Sequence, residues 1–494
     1  MLAETTSFTL EGITARPVRV EVDIHRGLPS FQIVGLPDAA VREARERVRA
    51  ALVNTGFEFP LRRITANLAP ADLRKAGPGL DLAIATALLA AGGELPPEQL
   101  AGWALAGELA LDGSVRPVRG ALAMAESARE QSCRGIILPA ANGPEAALAP
   151  GVEVRTIESI SELRQFARGQ VPGQKPEPAG QIRNHALPDL RDLRGQPSLR
   201  RAIEVAAAGG HALLMVGPPG SGKSLAARRI PSVLPPMSSD EILEVARIAG
   251  VCGAGPLRAE RPFRAPHHTV SAPGLVGGGS PPRPGEITLA HRGVLFLDEL
   301  CEFRRPALEA LREPLESGEV TISRANGRRT LPAGFTLVAA ANPCPCGRGD
   351  EDPQCECSAA AVARYRSTLS GALADRIDII VGVAQPDPEA MAGEDGECSA
   401  AVRERVLIAR ERMSERLGSG RPNAAATRAE VSRFEVEPEA RHLLIEAARS
   451  QKLSGRSHDR ALRLARTLAD LDGSGPVREE HLAGALQLRR RSGS

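Results

Sequence analysis

Eight consecutive residues, Gly217-Pro218-Pro219-Gly220-Ser221-Gly222-Lys223-Ser224, have the types and spacing needed to hold a polyphosphate. Glycines at the first, fourth and sixth places let backbone N–H groups turn inward on phosphate oxygens, and a helix beginning at the lysine adds the anion-favouring end of its dipole. Lys223 is set to reach the β and γ phosphates of ATP, and Ser224 to ligand Mg²⁺. The chain carries 58 Arg and only 4 Lys. A lysine kept here therefore means something: a compact ammonium suits the crowded cradle, and a planar guanidinium does not. The apolar run Ala212-Leu213-Leu214-Met215-Val216 comes before the loop and a helical pattern through Ile230 follows it, the strand, loop, helix order the motif requires.

A second apolar run, Val294-Leu295-Phe296-Leu297, ends in Asp298 and Glu299. Buried parallel strands read as continuous apolar stretches, and side chains at their carboxyl ends face the ligand crevice. Asp298 is then the residue to hold Mg²⁺ through water, and Glu299 the one to polarise the attacking water. A third strand, Phe335 to Ala341, ends in Asn342, an amide able to orient the water or the γ phosphate. Downstream, Leu373-Ala374-Asp375-Arg376-Ile377-Asp378 offers an arginine that a neighbouring subunit could present to the transition-state charge. On spacing alone, an ion pair of Arg376 with Asp375 or Asp378 is an equal alternative. The four parts in this order imply a ring-forming ATPase.

Cys344-x-Cys346 and Cys355-x-Cys357 put four of the chain's 8 cysteines in one loop. Soft thiolates in a tetrahedral set suit Zn²⁺, although one residue between paired cysteines is tighter than the usual spacing. The loop has Gly347, Gly349 and Pro353 and little apolar content with which to fold unaided. A structural zinc is expected, bracing the strand that ends at Asn342.

These residues need scaffolding, and 494 residues exceed a single core, so two to four domains are predicted. A composition of 42% hydrophobic and 25% charged residues is that of ordinary globular protein. No apolar run approaches the ~20 residues of a membrane span, and Met1 to Thr6 lack the pattern of a secretory signal, so a cytoplasmic protein without membrane contact is predicted. Val18, Val20, Val22 and Ile24 alternate, turn at Gly27-Leu28-Pro29 and resume at Phe31 and Ile33, which predicts a hairpin. Asp38 should cap a helix carrying Val41, Ala44, Val48, Ala51 and Leu52 on one face. With a strand at Ile64 to Leu68 and a helix at Leu80 to Ala91, the first 167 residues read as an α+β domain. Residues 168–187 are Pro-rich and aperiodic, a linker. Residues 188–388 read as the α/β nucleotide core and 389–494 as a helical lid.

With those residues in hand, the chain resembles the magnesium-chelatase-like AAA+ proteins of the ComM/YifB family. The most specific runs are Arg261-Pro262-Phe263-Arg264-Ala265-Pro266-His267-His268-Thr269, Leu275-Val276-Gly277-Gly278-Gly279, Pro284-Gly285-Glu286-Ile287 and Asn342-Pro343-Cys344-Pro345-Cys346-Gly347. The resemblance implies a hexameric, ATP-driven motor that acts on branched or single-stranded DNA without sequence preference and promotes branch migration during recombination, as in natural transformation. It supports Arg376 as a finger acting in trans and matches Arg456 to the lid arginine that senses the γ phosphate, with Arg460 as a competing choice. Cys301 stands where proline commonly follows the acidic pair, and Ala374 where leucine is typical. The amino-terminal domain resembles the Lon-protease fold, of the ribosomal protein S5 domain 2-like type. Gly79 stands where that family's nucleophilic serine should be and Leu122 where its lysine base should be, so a peptidase is excluded.

A net charge of +2 gives no bulk attraction for nucleic acid, so DNA contact must be local. Arg261, Arg264, Arg283, His267 and His268, and Arg324, Arg328 and Arg329 around a predicted turn at Asn326-Gly327, are candidates for phosphates in a channel. For the two histidines, a surface or packing role is favoured over catalysis. With one Trp and one Tyr, base stacking cannot be extensive. A metal-insertion chaperone like the magnesium-chelatase ATPase subunit is the alternative function.

Overall fold

A computed structural model describes residues 1–96, 98–177, 187–254, 259–279, 283–324, 327–349, 352–369, 373–385, 387–389, 395–418, 420–450 and 454–489. The chain divides into two compact units, one of residues 1–183 with 239–258 and 280–283, the other of 184–238, 259–279 and 284–494.

The first unit is built on a seven-stranded mixed sheet, β1 (Leu2–Glu11), β2 (Thr14–His25), β3 (Ser30–Val34), β4 (Arg63–Ala69), β5 (Trp103–Leu105), β6 (Gly135–Pro139) and β7 (Glu153–Ile157), in the order β3-β4-β2-β1-β5-β6-β7. Alternation along its strands feeds two cores. Ile137 lies with Val18, Val20 and Leu68 in one, while its neighbours Ile136 and Leu138 lie with Phe8 and the helix Ala121–Glu130 in the other. Such division follows from the period of two along a strand.

Asp38 caps the helix Ala39–Asn54 by accepting the Val41 N–H at 2.8 Å, and the face Val41, Ala44, Val48, Ala51 and Leu52 is fully buried, as the spacing requires. The expected hairpin at Gly27-Leu28-Pro29 is not formed. β3 runs parallel to β4, which lies between it and β2, so Ser30–Val34 and Thr14–His25 never pair. β4 takes the place beside β2 because its own alternation, Ile64, Ala66 and Leu68, is completely buried, and the helix Ala39–Asn54 supplies the crossover that a parallel pair needs. The hairpin that does form joins β1 to β2.

Asp81, wholly buried at the start of the helix Asp81–Gly92, accepts Arg47 Nε at 2.7 Å, Arg47 Nη2 at 3.0 Å and the Leu109 N–H at 3.2 Å. Burial pushes its carboxyl up, and Arg47 pulls it part of the way back. The helix Ser239–Cys252, whose sequence lies inside the expected nucleotide core, packs in this unit on Ala121–Glu130. Arg247 Nε and Nη2 donate to Glu126 at 2.7 and 2.8 Å, and the Gly120 N–H donates to the Gly250 carbonyl at 3.1 Å.

The second unit holds a five-stranded parallel sheet formed by β8 (Leu213–Val216), β9 (Phe263–Arg264), β10 (Val294–Leu297), β13 (Thr336–Ala341) and β14 (Ile379–Gly382), in the order β9-β10-β13-β8-β14. A separate hairpin, β11 (Glu319–Arg324) with β12 (Gly327–Pro332), lies between β10 and β13 in the chain. The predicted hairpin forms, but Gly327, expected in its turn, is the first residue of β12 and pairs with Arg324, while Asn326 lies outside the described residues. The interior strand β8 has β13 on one side and β14 on the other, and its residues Leu213 and Met215 share a core with Val338, Ala340, Ile379 and Val381. This is an α/β architecture in which the Gly217–Ser224 loop leaves an interior strand, β8.

Carboxyl-terminal helices Ser399–Leu417, Pro438–Ser450, Gly455–Leu471 and Glu479–Gln487 complete the unit. Asp470, almost wholly buried, accepts Arg416 Nη2 at 2.5 Å, Asn423 Nδ2 at 2.8 Å and Arg466 Nε at 3.1 Å, so a buried charge is paired and fully hydrogen-bonded. His211 ties these helices to the sheet through Thr467 Oγ1 at 2.8 Å and Asp378 Oδ2 at 3.3 Å. Among the described residues, no helix is long and apolar enough to cross a membrane.

Candidate nucleotide site

Parallel strands bring their carboxyl ends to one edge, and register decides which residues meet there. Val216 lies opposite Ala341, and Leu297 opposite Ala339, so Gly217, Asp298 and Asn342 emerge together. Gly217 cannot carry a side chain, because a Cβ there would lie 2.1 Å from the Val383 carbonyl oxygen. Lys223 is 8% exposed, and its Nζ donates to the Gly217 and Pro218 carbonyls at 2.7 Å each, with Ser221 Oγ at 3.3 Å and Asn342 Oδ1 at 3.5 Å. Burial holds its ammonium below the ordinary lysine range, and the Asp298 charge offsets part of that. The ammonium thus waits on loop carbonyls that a phosphate would replace.

Ser224 Oγ donates to Asp298 Oδ2 at 2.6 Å, while Asp298 Oδ1 accepts the Glu299 N–H at 3.0 Å. A hydroxyl and a carboxylate this close are the hard oxygen donors Mg²⁺ takes, so the pair fits that ion. Glu299 adopts the left-handed conformation, φ 52°, unusual for a residue with a side chain. Its Oε2 lies 3.0 Å from His268 Nδ1. His268 in turn stacks on His267, with ring centroids 4.1 Å apart, and meets the edge of Phe303. The packing role expected for this histidine is therefore incomplete: it also holds the glutamate chosen for water activation. Its signal was the register of β9 on β10. Phe263 pairs with Val294 and Arg264 with Leu295, and the same offset continued beyond the strands brings 268 to 299.

Two further supports escaped the sequence reading. Gln196 Nε2 donates to the Ser221 carbonyl at 2.8 Å and the Ala384 carbonyl at 3.2 Å, pinning the phosphate loop from below. Cys301 and Tyr365 share a hydrogen bond, and Tyr365 also takes one from the Asn342 backbone, linking the acidic turn to the strand end at Asn342. Burial pushes the Cys301 thiol up to about 11, so it is an inert packing group rather than a nucleophile.

Arg376 and the lid arginines are not brought to this cluster. Arg376 comes just before β14, whose first residue Ile379 pairs with Leu213, the first residue of β8. It therefore belongs to the amino edge of the sheet, away from its own chain's phosphate loop. Its Nη2 bonds Glu316. Arg460 lies 3.7 Å from Asp378 at that same edge, while Arg456 is exposed in the first turn of Gly455–Leu471. Burial alone would raise Asp378, but His211, Arg460 and Arg489 hold its carboxyl below the usual range.

Of the channel candidates, Arg264 is committed to Glu286 at 2.7 and 2.9 Å, and Arg261 to the Pro235 and Arg292 carbonyls at 2.6 Å. Both brace the chain, because β9 must be held beside β10 for His268 to reach Glu299. Arg283 and Arg328 are exposed. Asn326 lies outside the described residues, as does the side chain of Arg324.

The cysteine loop begins two residues after Asn342. Sγ atoms of Cys344, Cys346, Cys355 and Cys357 all lie within 4.8 Å of one another, and the Gly349 N–H donates to the buried Cys344 Sγ at 3.2 Å. Burial would raise Cys344, but the Gly349 N–H and the other thiols bring it down to about 6. The Cys357 N–H favours a thiolate at Cys355, yet burial and neighbouring thiols push that group up to about 12. One thiolate is thus favoured at neutral pH, and a four-sulfur set suits a soft divalent cation.

A parallel sheet with a phosphate loop on an interior strand and an acidic pair on the next strand but one defines a P-loop nucleotide-binding protein. Family models described as "Magnesium chelatase, subunit ChlI", "Subunit ChlI of Mg-chelatase" and "Magnesium chelatase, subunit ChlI C-terminal" match residues 189–391, 20–142 and 396–489. The chain is 42% identical to the uncharacterized protein YifB of Escherichia coli, covering 97% of this chain and 95% of that one. It is 43% identical to the uncharacterized protein Rv2897c of Mycobacterium tuberculosis, covering 99% of both, and 41% identical to the competence protein ComM of Haemophilus influenzae, covering 97% and 95%. The chain belongs to the ComM/YifB family of magnesium-chelatase-like AAA+ ATPases.

Proposed function

We propose that this protein is an ATP-driven hexameric motor that promotes branch migration of DNA recombination intermediates in the cytoplasm. The observation that carries the hydrolytic part is the grouping of Lys223, Ser224, Asp298, Glu299 and Asn342 at one sheet edge. Lys223 exchanges its loop carbonyls for the β and γ phosphates of ATP. Ser224 and Asp298 would hold Mg²⁺, which would supply charge neutralisation for the phosphates. Glu299 accepts the proton of the attacking water, oriented on the other side by Asn342. Arg376 serves the neighbouring subunit's site as a trans finger, a role supported by its distance in the sheet from its own phosphate loop. Arg456, exposed near the lid's helix start, senses the γ phosphate in preference to Arg460, which is held by Asp378.

The DNA reading rests on similarity along nearly the whole chain to a protein named for competence. Contact should be to the phosphate backbone and weaken with salt. The first unit is assigned a Lon-protease-like fold without its catalytic dyad, since Gly79 has no hydroxyl and Leu122 is a fully buried apolar side chain. Cys344, Cys346, Cys355 and Cys357 are assigned to a structural Zn²⁺.

ATPase assays with single-stranded, forked and four-way DNA test the reading: branched DNA should raise turnover and be remodelled. If no DNA raises turnover and none is remodelled, the DNA motor is wrong. A metal-insertion chaperone is then favoured, a reading supported by the magnesium-chelatase descriptions of all three matching models.

A further inference from the structure

Gly347 has φ +86°, and a Cβ there would lie 2.8 Å from Pro219 Cδ and Cγ and 3.9 Å from Asn342 Nδ2. The backbone at Gly347 therefore rests directly on the phosphate loop, at a residue where only glycine fits. On one side of Gly347 are Cys344 and Cys346, with Sγ atoms 3.3 Å apart, and Cys355 Sγ closes the group at 3.7 and 3.6 Å from them. Tetrahedral zinc with Zn–S near 2.3 Å separates its sulfurs by about 3.8 Å, so the thiols are already spaced close to a ligand cage.

Between Pro343 and Cys357 the sequence has Pro, Gly, Cys and polar residues and no other apolar side chain. Such a segment has no core of its own to hold Gly347 against Pro219. What the loop offers for fixing that surface is four thiols within 4.8 Å of one another, a set that suits a soft cation.

We propose that metal occupancy of the cysteine loop controls nucleotide affinity, because the metal-closed loop is one wall of the phosphate cradle. The inference rests on the reading of this chain as an ATP-binding protein and of the cysteines as a soft-metal site. Without the cation, Gly347 leaves Pro219, the loop Gly217–Ser224 gains freedom, and ordering it becomes part of the cost of binding ATP. With zinc bound, the cradle is preorganised.

The test uses the full chain, with zinc content by mass spectrometry and the Kd of a fluorescent ATP analogue by titration. Wild type should carry one zinc per chain. Cys355→Ser combined with Cys357→Ser should lose the zinc and weaken nucleotide binding ten-fold or more, with the thermal unfolding of the sheet retained. Gly347→Ala separates the contact from the metal: it should keep the zinc and yet weaken nucleotide binding to a similar extent, through the clash with Pro219. Wild type that binds no zinc even when titrated with zinc chloride overturns the inference. So does equal nucleotide affinity in wild type, the double serine variant and Gly347→Ala. If wild type with zinc binds no ATP analogue, the nucleotide reading itself falls and the inference with it, an outcome distinct from the other two.

Discussion

A carboxylate can take a proton from an attacking water only when its oxygen points at that water, and Glu299 is a half-exposed side chain on a turn with φ 52°. His268 Nδ1, 3.0 Å from Glu299 Oε2, is what limits its rotamers. Glu299→Gln should leave ATP binding intact and lower kcat by about 10² to 10⁴, the range of a lost general base. His268→Ala should act more mildly, lowering kcat about ten-fold with KM little changed, because it loosens the base without removing it. His268→Asn, whose amide N–H can occupy the place of Nδ1–H, should recover most of that loss. A KM increase without a kcat change in His268→Ala would show that the histidine packs and does not position. The phosphate loop was legible because all eight residues are contiguous. The histidine was not, because its contact spans 31 positions and exists only through the register of two strands.

The element that departs most from a linear reading is the helix Ser239–Cys252. Its residues fall within 188–388, the range expected to form the nucleotide core, yet it packs on Ala121–Glu130 of the first unit, with Ala246 in that unit's core. No local pattern carries that information, since a helix's buried face does not say which partner buries it. The attachment has a polar lock: Arg247 donates twice to Glu126, and the carboxylate raises the guanidinium above its ordinary value. Glu126→Ala should destabilise the docked helix by about 1.5 to 3 kcal/mol, the loss of charged hydrogen bonds to a half-buried partner. Faster hydrogen exchange within 239–252 would report it. Glu126→Arg with Arg247→Glu should restore protection that each single reversal removes. Unchanged exchange in all three would mean that the apolar face alone carries the contact. The misread hairpin has the same origin. Strand existence was legible from alternation at 18–24 and 31–33, but pairing was decided by the deeper burial of Ile64, Ala66 and Leu68, residues far along the chain.

For the whole molecule, the question is which cation meets the transition state at the carboxyl edge of the sheet. The two arginines best suited, Arg376 and Arg460, lie at the amino edge with Glu316 and Asp378. In a ring with head-to-tail interfaces, the amino-edge surface of one subunit can face the phosphate loop of the next. The proposed trans role of Arg376 therefore predicts complementation. Lys223→Ala should lose nucleotide binding while keeping its finger, and Arg376→Ala should bind ATP yet hydrolyse it at least 10³-fold more slowly. Mixed in equal amounts before assembly, the two should regain activity at interfaces that pair an intact phosphate loop with an intact arginine, about a quarter of them for random mixing around a closed ring. Steady-state ATPase of the mixture, measured against the sum of the separate variants, gives the answer. Activity equal to that sum would confine Arg376 to its intrachain bond with Glu316, and the lid arginine Arg456 would then be the next residue to carry through the same mixing experiment.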